Sequence, residues 1–141
     1  MNKYLVELIG TFFLVLTVGC TVIDKGASPL APIAICASLM IMIFAGGHIS
    51  GGHYNPAVTL GVWMRGKYET KDVAPYWAFQ FIGAALAAAV VTFFKAGATI
   101  TPGTPQTVPA LLAEFLFTFA LGYVVLNIAT ANNSFTASPS A

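Results

Sequence analysis

The residues best suited to chemistry fall in one stretch. His48 and His53 flank Gly51-Gly52, Tyr54 follows, and then comes Asn55-Pro56-Ala57-Val58-Thr59. Asparagine is a favoured helix N-cap because its side-chain oxygen accepts N–H groups of the first turn. Proline suits the next position, where a backbone N–H would have no partner anyway. Asn55 therefore starts a helix, with its amide NH₂ left over as a donor and roughly half a positive charge beside it from the helix N-terminus. Gly51 and Gly52 allow backbone angles closed to other residues, so the carbonyls of Gly51, Gly52, His53 and Tyr54 can turn to one side as acceptors. A row of acceptors ending at a fixed donor replaces the hydrogen bonds that a small neutral polar molecule leaves in water, while the positive helix end repels a cation. That chemistry is selective passage and makes or breaks no bond.

Other chemistries find less support. The two histidines have no cysteine or carboxylate nearby to complete a metal set, so His48 and His53 are expected to hold the loop and no metal is expected. The chain has no nucleophile–base pair, which argues against an enzyme, and nothing in it calls for a cofactor. Cys20 and Cys36 lie within apolar runs and read as packing residues. A formal net charge of +1 leaves no basic stripe for nucleic acid. Glu7 and Glu114 sit inside apolar stretches, where an ionisable group is costly and is either functional or paired. A proton relay would use them, but the simpler role is a brace in which each carboxylate accepts backbone N–H groups of a loop.

The elements that position these residues belong in lipid. Hydrophobic residues make up 57% of the 141 and charged ones 8%, against about 25% charged in a typical soluble domain. The mean hydropathy of +0.82 agrees. Crossing a hydrocarbon core of about 30 Å takes about 20 apolar residues. Residues 4–23, 31–47, 73–94 and 109–131 qualify, the second being short. Turn-forming residues at 24–29 and 101–105 separate them, and Pro32, Pro75 and Pro109 sit in or near first turns. The apolar piece from Ala57 to Met64 gives only about 15 Å of helix, half a membrane. A half-span at that depth must be buried in protein or line a watery cavity.

Lys3 before an apolar run resembles the start of a signal peptide. The run is too long for one, Glu7 interrupts it, and Thr17-Val18-Gly19-Cys20 is a poor lipoprotein cleavage box, so the segment is expected to be retained. With the N-terminus cytoplasmic, Lys3, Arg65, Lys67 and Lys71 fall inside and Lys25 and Lys95 outside, a modest bias toward that orientation. Trp63, Tyr68, Tyr76 and Trp77 read as interfacial anchors. Gly83, Ala84, Ala85, Ala87, Ala88 and Ala89 permit close helix packing. The glycosylation pattern Asn132-Asn133-Ser134 falls on the cytoplasmic side and is discounted.

An internal repeat is present. Glu7-Leu8-Ile9-Gly10-Thr11-Phe12 and Glu114-Phe115-Leu116-Phe117-Thr118-Phe119 share Glu, Thr and Phe at an offset of 107 residues. Three helices between the copies invert the second one in the membrane. The same offset places a partner for Asn55 near position 162, beyond Ala141. Residues 1–108 are thus expected to form a first repeat of three spans and a half-helix, and 109–141 the first helix of a second, truncated repeat.

Gly47-His48-Ile49-Ser50-Gly51-Gly52-His53-Tyr54-Asn55-Pro56-Ala57-Val58-Thr59 resembles the first signature loop of the aquaporin, or major intrinsic protein, family. The Glu-x-x-x-Thr-Phe repeats match that family's first and fourth helices, and the resemblance covers essentially the whole chain. It implies an all-α membrane protein with an aquaporin-like, right-handed helical bundle. Such a bundle has six spans and two re-entrant half-helices meeting at paired Asn-Pro-Ala caps, of which about four spans and one half-helix are present here. It implies a multi-pass protein of the plasma or inner membrane, a homotetramer with one pore per subunit. The implied activity is passive transport of water and small neutral solutes such as glycerol, with ions and protons excluded. The alternative is a truncated subunit that does not conduct or that interferes with conduction. The family's narrowest filter takes a second-helix residue that corresponds to Ile35. Water-selective members carry an aromatic residue or histidine there, so the aliphatic side chain argues against strict water selectivity. The family pattern also assigns Glu114 to brace the loop before Asn55, and Glu7 to brace the missing counterpart.

Overall fold

A computed structural model describes residues 2–23, 29–98 and 103–130. These residues form α1 (Lys3–Val22), α2 (Ala31–Ser50), α3 (Pro56–Met64), α4 (Thr70–Phe94) and α5 (Thr107–Thr130). All but α3 are long and apolar enough to cross a membrane. At about 1.5 Å per residue, the 20 residues of α1 and of α2 reach about 30 Å, whereas the nine of α3 reach about 14 Å.

Local sequence accounts for the helix ends. The Asn2 side chain caps α1 by accepting from Tyr4 N at 3.0 Å. Pro32 lies in the first turn of α2, which closes at Gly51 with φ 90° and a bond from Gly51 N to Gly47 O at 2.8 Å. The second span thus continues three residues past Gly47, because His48, Ile49 and Ser50 keep helical geometry until a glycine can reverse the chain. α4 likewise starts before Val73, its first turn containing Asp72, whose charge suits a helix N-terminus. The turn residues 24–28 and 101–102, with Lys25 among them, and the Asn132-Asn133-Ser134 pattern lie outside the described residues.

α1 lies between α2 and α4. Thr17 Oγ1 donates to Ser38 Oγ at 3.1 Å, while a Cβ on Gly46 would meet Val6, so α1 and α2 are antiparallel. Lys3 pairs with Asp72 at 2.6 Å, Glu7 meets Gln80, and Gly19 abuts Val91, so α1 and α4 are parallel. The two backbones nearly touch: a Cβ on Gly83 would lie 2.4 Å from Leu8 O. α3 runs back along the first half of α4. Trp63 Nε1 donates to Thr70 Oγ1 at 2.9 Å, and Trp77 Nε1 donates to Pro56 O at 3.1 Å. α5 packs against α3, where Leu126 approaches Gly61.

Large apolar side chains such as Phe44, Phe81, Phe93 and Phe117 cover the outside of this bundle. Such a surface suits lipid, not water. Tyr76 does not share it: the expected interfacial anchor is fully buried and donates to Ser50 O at 2.7 Å, because it faces α1 and the loop. Lys3, Arg65, Lys67 and Lys71 gather at one end of the bundle, where α1 and α4 begin and α3 ends, and Lys95 closes α4 at the other.

Candidate functional site

Between Ser50 and Pro56 the chain leaves the helix and re-enters it. Gly51, Gly52 and Tyr54 all adopt positive φ, at 90°, 64° and 47°. For tyrosine this region is strained and needs support from its surroundings. The support is specific. The Tyr54 ring fills a notch left by two glycines, since a Cβ on Gly10 would lie 2.1 Å from the ring and one on Gly46 2.8 Å from the hydroxyl. The hydroxyl donates to Met42 O at 2.8 Å, and Tyr54 N donates to Glu7 Oε2 at 2.7 Å.

Glu7 is fully buried and organises the loop. Its Oε1 accepts from Ser50 Oγ at 2.7 Å and His53 N at 3.0 Å. Its Oε2 accepts from Tyr54 N at 2.7 Å and Gln80 Nε2 at 2.8 Å. Four donors therefore converge on one carboxylate, which is the brace expected of such a group, but from the other helix. Glu114, assigned to this loop from the family pattern, is exposed on α5, which packs against the far side of α3. α1 lies directly against the loop, so its carboxylate reaches the loop amides and that of α5 does not.

His48 is exposed in the last turn of α2, with no side-chain hydrogen bond among the described residues. The loop-holding histidine is His53, buried with Nδ1 3.2 Å from Thr59 Oγ1 and its ring centroid 5.2 Å from those of Tyr68 and Tyr76. Burial holds the Tyr68 phenol above its ordinary range. It stays neutral beneath the Lys3 ammonium, which lies 5.4 Å from its ring.

Three contributors, Ser50, Thr59 and Gln80, have no role in the sequence reading, and a fourth, Tyr76, is expected at the membrane interface instead. Gln80 is 1% exposed, and its Nε2 donates to both Glu7 Oε2 at 2.8 Å and Thr59 Oγ1 at 3.0 Å. A flipped amide would point oxygen at the carboxylate, so these contacts fix its orientation. Its Oε1 is left buried without a partner among the described residues. One signal was available, since Gln80 is a lone polar residue between Phe79 and Phe81 in an apolar run.

Asn55 caps α3 as its type and its neighbour Pro56 require. Its side-chain oxygen accepts from Ala57 N at 2.8 Å, and its backbone carbonyl accepts from Thr59 N at 3.0 Å. The amide nitrogen has no protein partner among the described residues, so a donor remains at the positive end of α3. Its depth follows from α4. Pro56 O meets Trp77 and Thr59 meets Gln80, five and eight residues or about 8 and 12 Å beyond Asp72, and Asn55 lies up to one turn further than Thr59. That puts the cap about 8–18 Å from the charged end, within the depth of a hydrocarbon core about 30 Å thick. Ile35 is not brought to this loop. It is half-buried near the start of α2, about 22 Å along the helix from Ser50.

The sequence profile of the family described as Major intrinsic protein matches residues 32–141. The chain belongs to the major intrinsic protein family. It is 34% identical to Aquaporin NIP1-1 of Oryza sativa subsp. japonica, over 95% of this chain and 51% of that one. To Aquaporin Z of Photorhabdus laumondii it is 43% identical over 69% of this chain and 45% of that one. To Aquaporin Z of Brucella melitensis it is 33% identical over 89% and 64%. The chain thus spans about half the length of most of these curated relatives. The all-α, aquaporin-like membrane fold expected from the sequence is present in four span-length helices and one half-helix, and the major intrinsic protein loop is the segment that Glu7 holds.

Proposed function

We propose that this chain supplies one wall of a transmembrane pore for water and small neutral solutes such as glycerol, closed to ions and protons. The observation that carries the reading is the unpartnered Asn55 amide at the N-terminus of α3, within the depth of the hydrocarbon core. A neutral molecule finds a donor there, and a cation meets the positive end of a helix dipole. The relatives are named aquaporins, which supports the same class of channel and not an enzyme. In this reading residues 1–108 are the first repeat and 109–141 begin the second, oriented oppositely. The N-terminus is cytoplasmic, the protein resides in the cell membrane, and four copies assemble with one pore each. Ile35 forms one side of a filter near the opposite face from the basic end, wide enough for glycerol.

A second reading is a subunit that does not conduct. One experiment separates the two. The chain is reconstituted in liposomes alone, and also joined to the second half of the Photorhabdus Aquaporin Z, and both are given an osmotic step. The joined protein is expected to swell or shrink vesicles well above the protein-free rate without dissipating a proton gradient, and the chain alone is not. A folded joined protein that passes no water would establish the non-conducting reading. Selective flux through the chain alone would show that one cap suffices, as when two copies pair.

A further inference from the structure

The turn after α3 has the geometry of a Schellman motif. Gly66 N donates to Trp63 O at 2.8 Å, Lys67 N donates to Val62 O at 3.2 Å, and Gly66 takes φ 70°. The turn fixes Arg65 and Lys67 on either side of one left-handed glycine, and both are exposed. The other cations at this end are already committed: Lys3 pairs with Asp72 at 2.6 Å and Lys71 with Glu69 at 2.5 Å. Among the described residues Arg65 and Lys67 have no carboxylate partner, so the local excess of positive charge lies on this turn.

The same turn sits at a defined depth. α3 starts within the hydrocarbon core and runs nine residues, about 14 Å, so Arg65 arrives about where hydrocarbon gives way to headgroups. Immediately before it, Met64 is 73% exposed, and the exposed Trp63 indole is tethered by its bond to Thr70. An apolar side chain and an indole on the membrane side of two unneutralised cations match one ligand shape: acyl chains joined to an anionic phosphate.

We propose that Arg65 and Lys67 bind the headgroup phosphate of an anionic phospholipid, whose chains lie against Met64 and Trp63. Guanidinium provides a planar fork for phosphate oxygens, and the lysine adds a second charge on the same group. A cation near an anionic membrane surface contributes roughly a five-fold preference each.

Bromine-labelled lipid tests this directly. The chain has two tryptophans, so Trp77→Phe leaves Trp63 as the sole reporter beside the site. The protein is placed in bilayers of phosphatidylcholine and phosphatidylglycerol, with the bromine carried on one lipid or the other. Preferential quenching by brominated phosphatidylglycerol is expected, about five-fold or more over phosphatidylcholine. It should fall near unity in Arg65→Gln/Lys67→Gln and persist in Lys71→Gln, whose amine is held by Glu69. No preference in the parent, an unchanged preference in the double variant, or an equal loss in Lys71→Gln would each overturn the site. Inorganic phosphate at matched ionic strength is expected to change nothing, and displacement by it would overturn the assignment to lipid. As a second measurement that keeps both tryptophans, lipid phosphorus retained after detergent purification should drop in the double variant. Equal retention would count against the proposal in the same way.

Discussion

Gln80 Nε2 and Glu7 Oε2 meet at 2.8 Å in the interior of the bundle, and the same amide reaches Thr59. One side chain on α4 therefore joins the carboxylate that holds the loop to the half-helix that follows it. Gln80→Leu should destabilise the protein by about 1–3 kcal/mol by leaving an acceptor of Glu7 and the Thr59 hydroxyl short of a donor. Glu7→Gln should cost at least as much, about 1.5–3 kcal/mol, since an amide nitrogen would then face N–H donors that a charged oxygen had accepted. The double variant should fall short of the sum by about 0.5–3 kcal/mol, measured by unfolding in mixed micelles. Additive effects would mean that the two residues do not act through each other.

The contact between α1 and α4 leaves no room at Gly83. An added Cβ would lie 2.4 Å from Leu8 O, a backbone atom that cannot rotate away. Gly83→Ala should cost about 1–3 kcal/mol by forcing the helices apart. Gly122 on α5 is the control, because a Cβ there meets nothing within 4 Å. Gly122→Ala should be neutral or stabilising by up to about 1 kcal/mol. Equal losses at both sites would refute the close-packing account.

Much of this architecture could be read in one dimension because it depends on local chemistry. Asn55-Pro56 announces a helix start in any context, and the length of the spans follows from the thickness of a bilayer. The brace could not be read in this way. Glu7 and Glu114 occupy the same position of a repeat, and only the packing of α1 against the loop decides which one reaches His53 N and Tyr54 N. The sequence points to an end of α2 at Gly47, because histidine and serine near glycines look like a loop, yet the helix persists to Ser50 and the backbone reverses only at Gly51. The left-handed Tyr54 gave no local sign, since its conformation depends on Gly10 and Gly46 of two other helical turns.

Asn55→Ala, placed in a conducting full-length relative or in the joined protein, should lower stability by about 0.5–2 kcal/mol through loss of the cap. The central donor disappears with it, so proton or cation leak should rise relative to water flux. Thermal melting and a pH-dye leak assay read the two effects. Unchanged values in both would remove Asn55 from the role given to it here.

Ile35→Phe in the same conducting protein should reduce glycerol permeability more than water permeability, because an aromatic ring narrows a filter by width and leaves the central donor intact. Light scattering under water and glycerol gradients gives both numbers. An equal fall in the two would place Ile35 away from the constriction.

The partners of the Glu7 carboxylate lie 43 to 73 residues later in the chain. Synthesis delivers about 5–20 residues per second, so roughly 4–15 s separate the emergence of Glu7 from that of its last donor. During that interval α1 carries a carboxylate with none of its eventual ligands, in the medium least able to solvate it. The nascent first helix must therefore wait where water or the insertion machinery can still reach Glu7, and its final seating comes only when α4 arrives beside it. Ribosome-stalled chains ending before and after Gln80, probed by a cysteine label one turn from Glu7, would time that step.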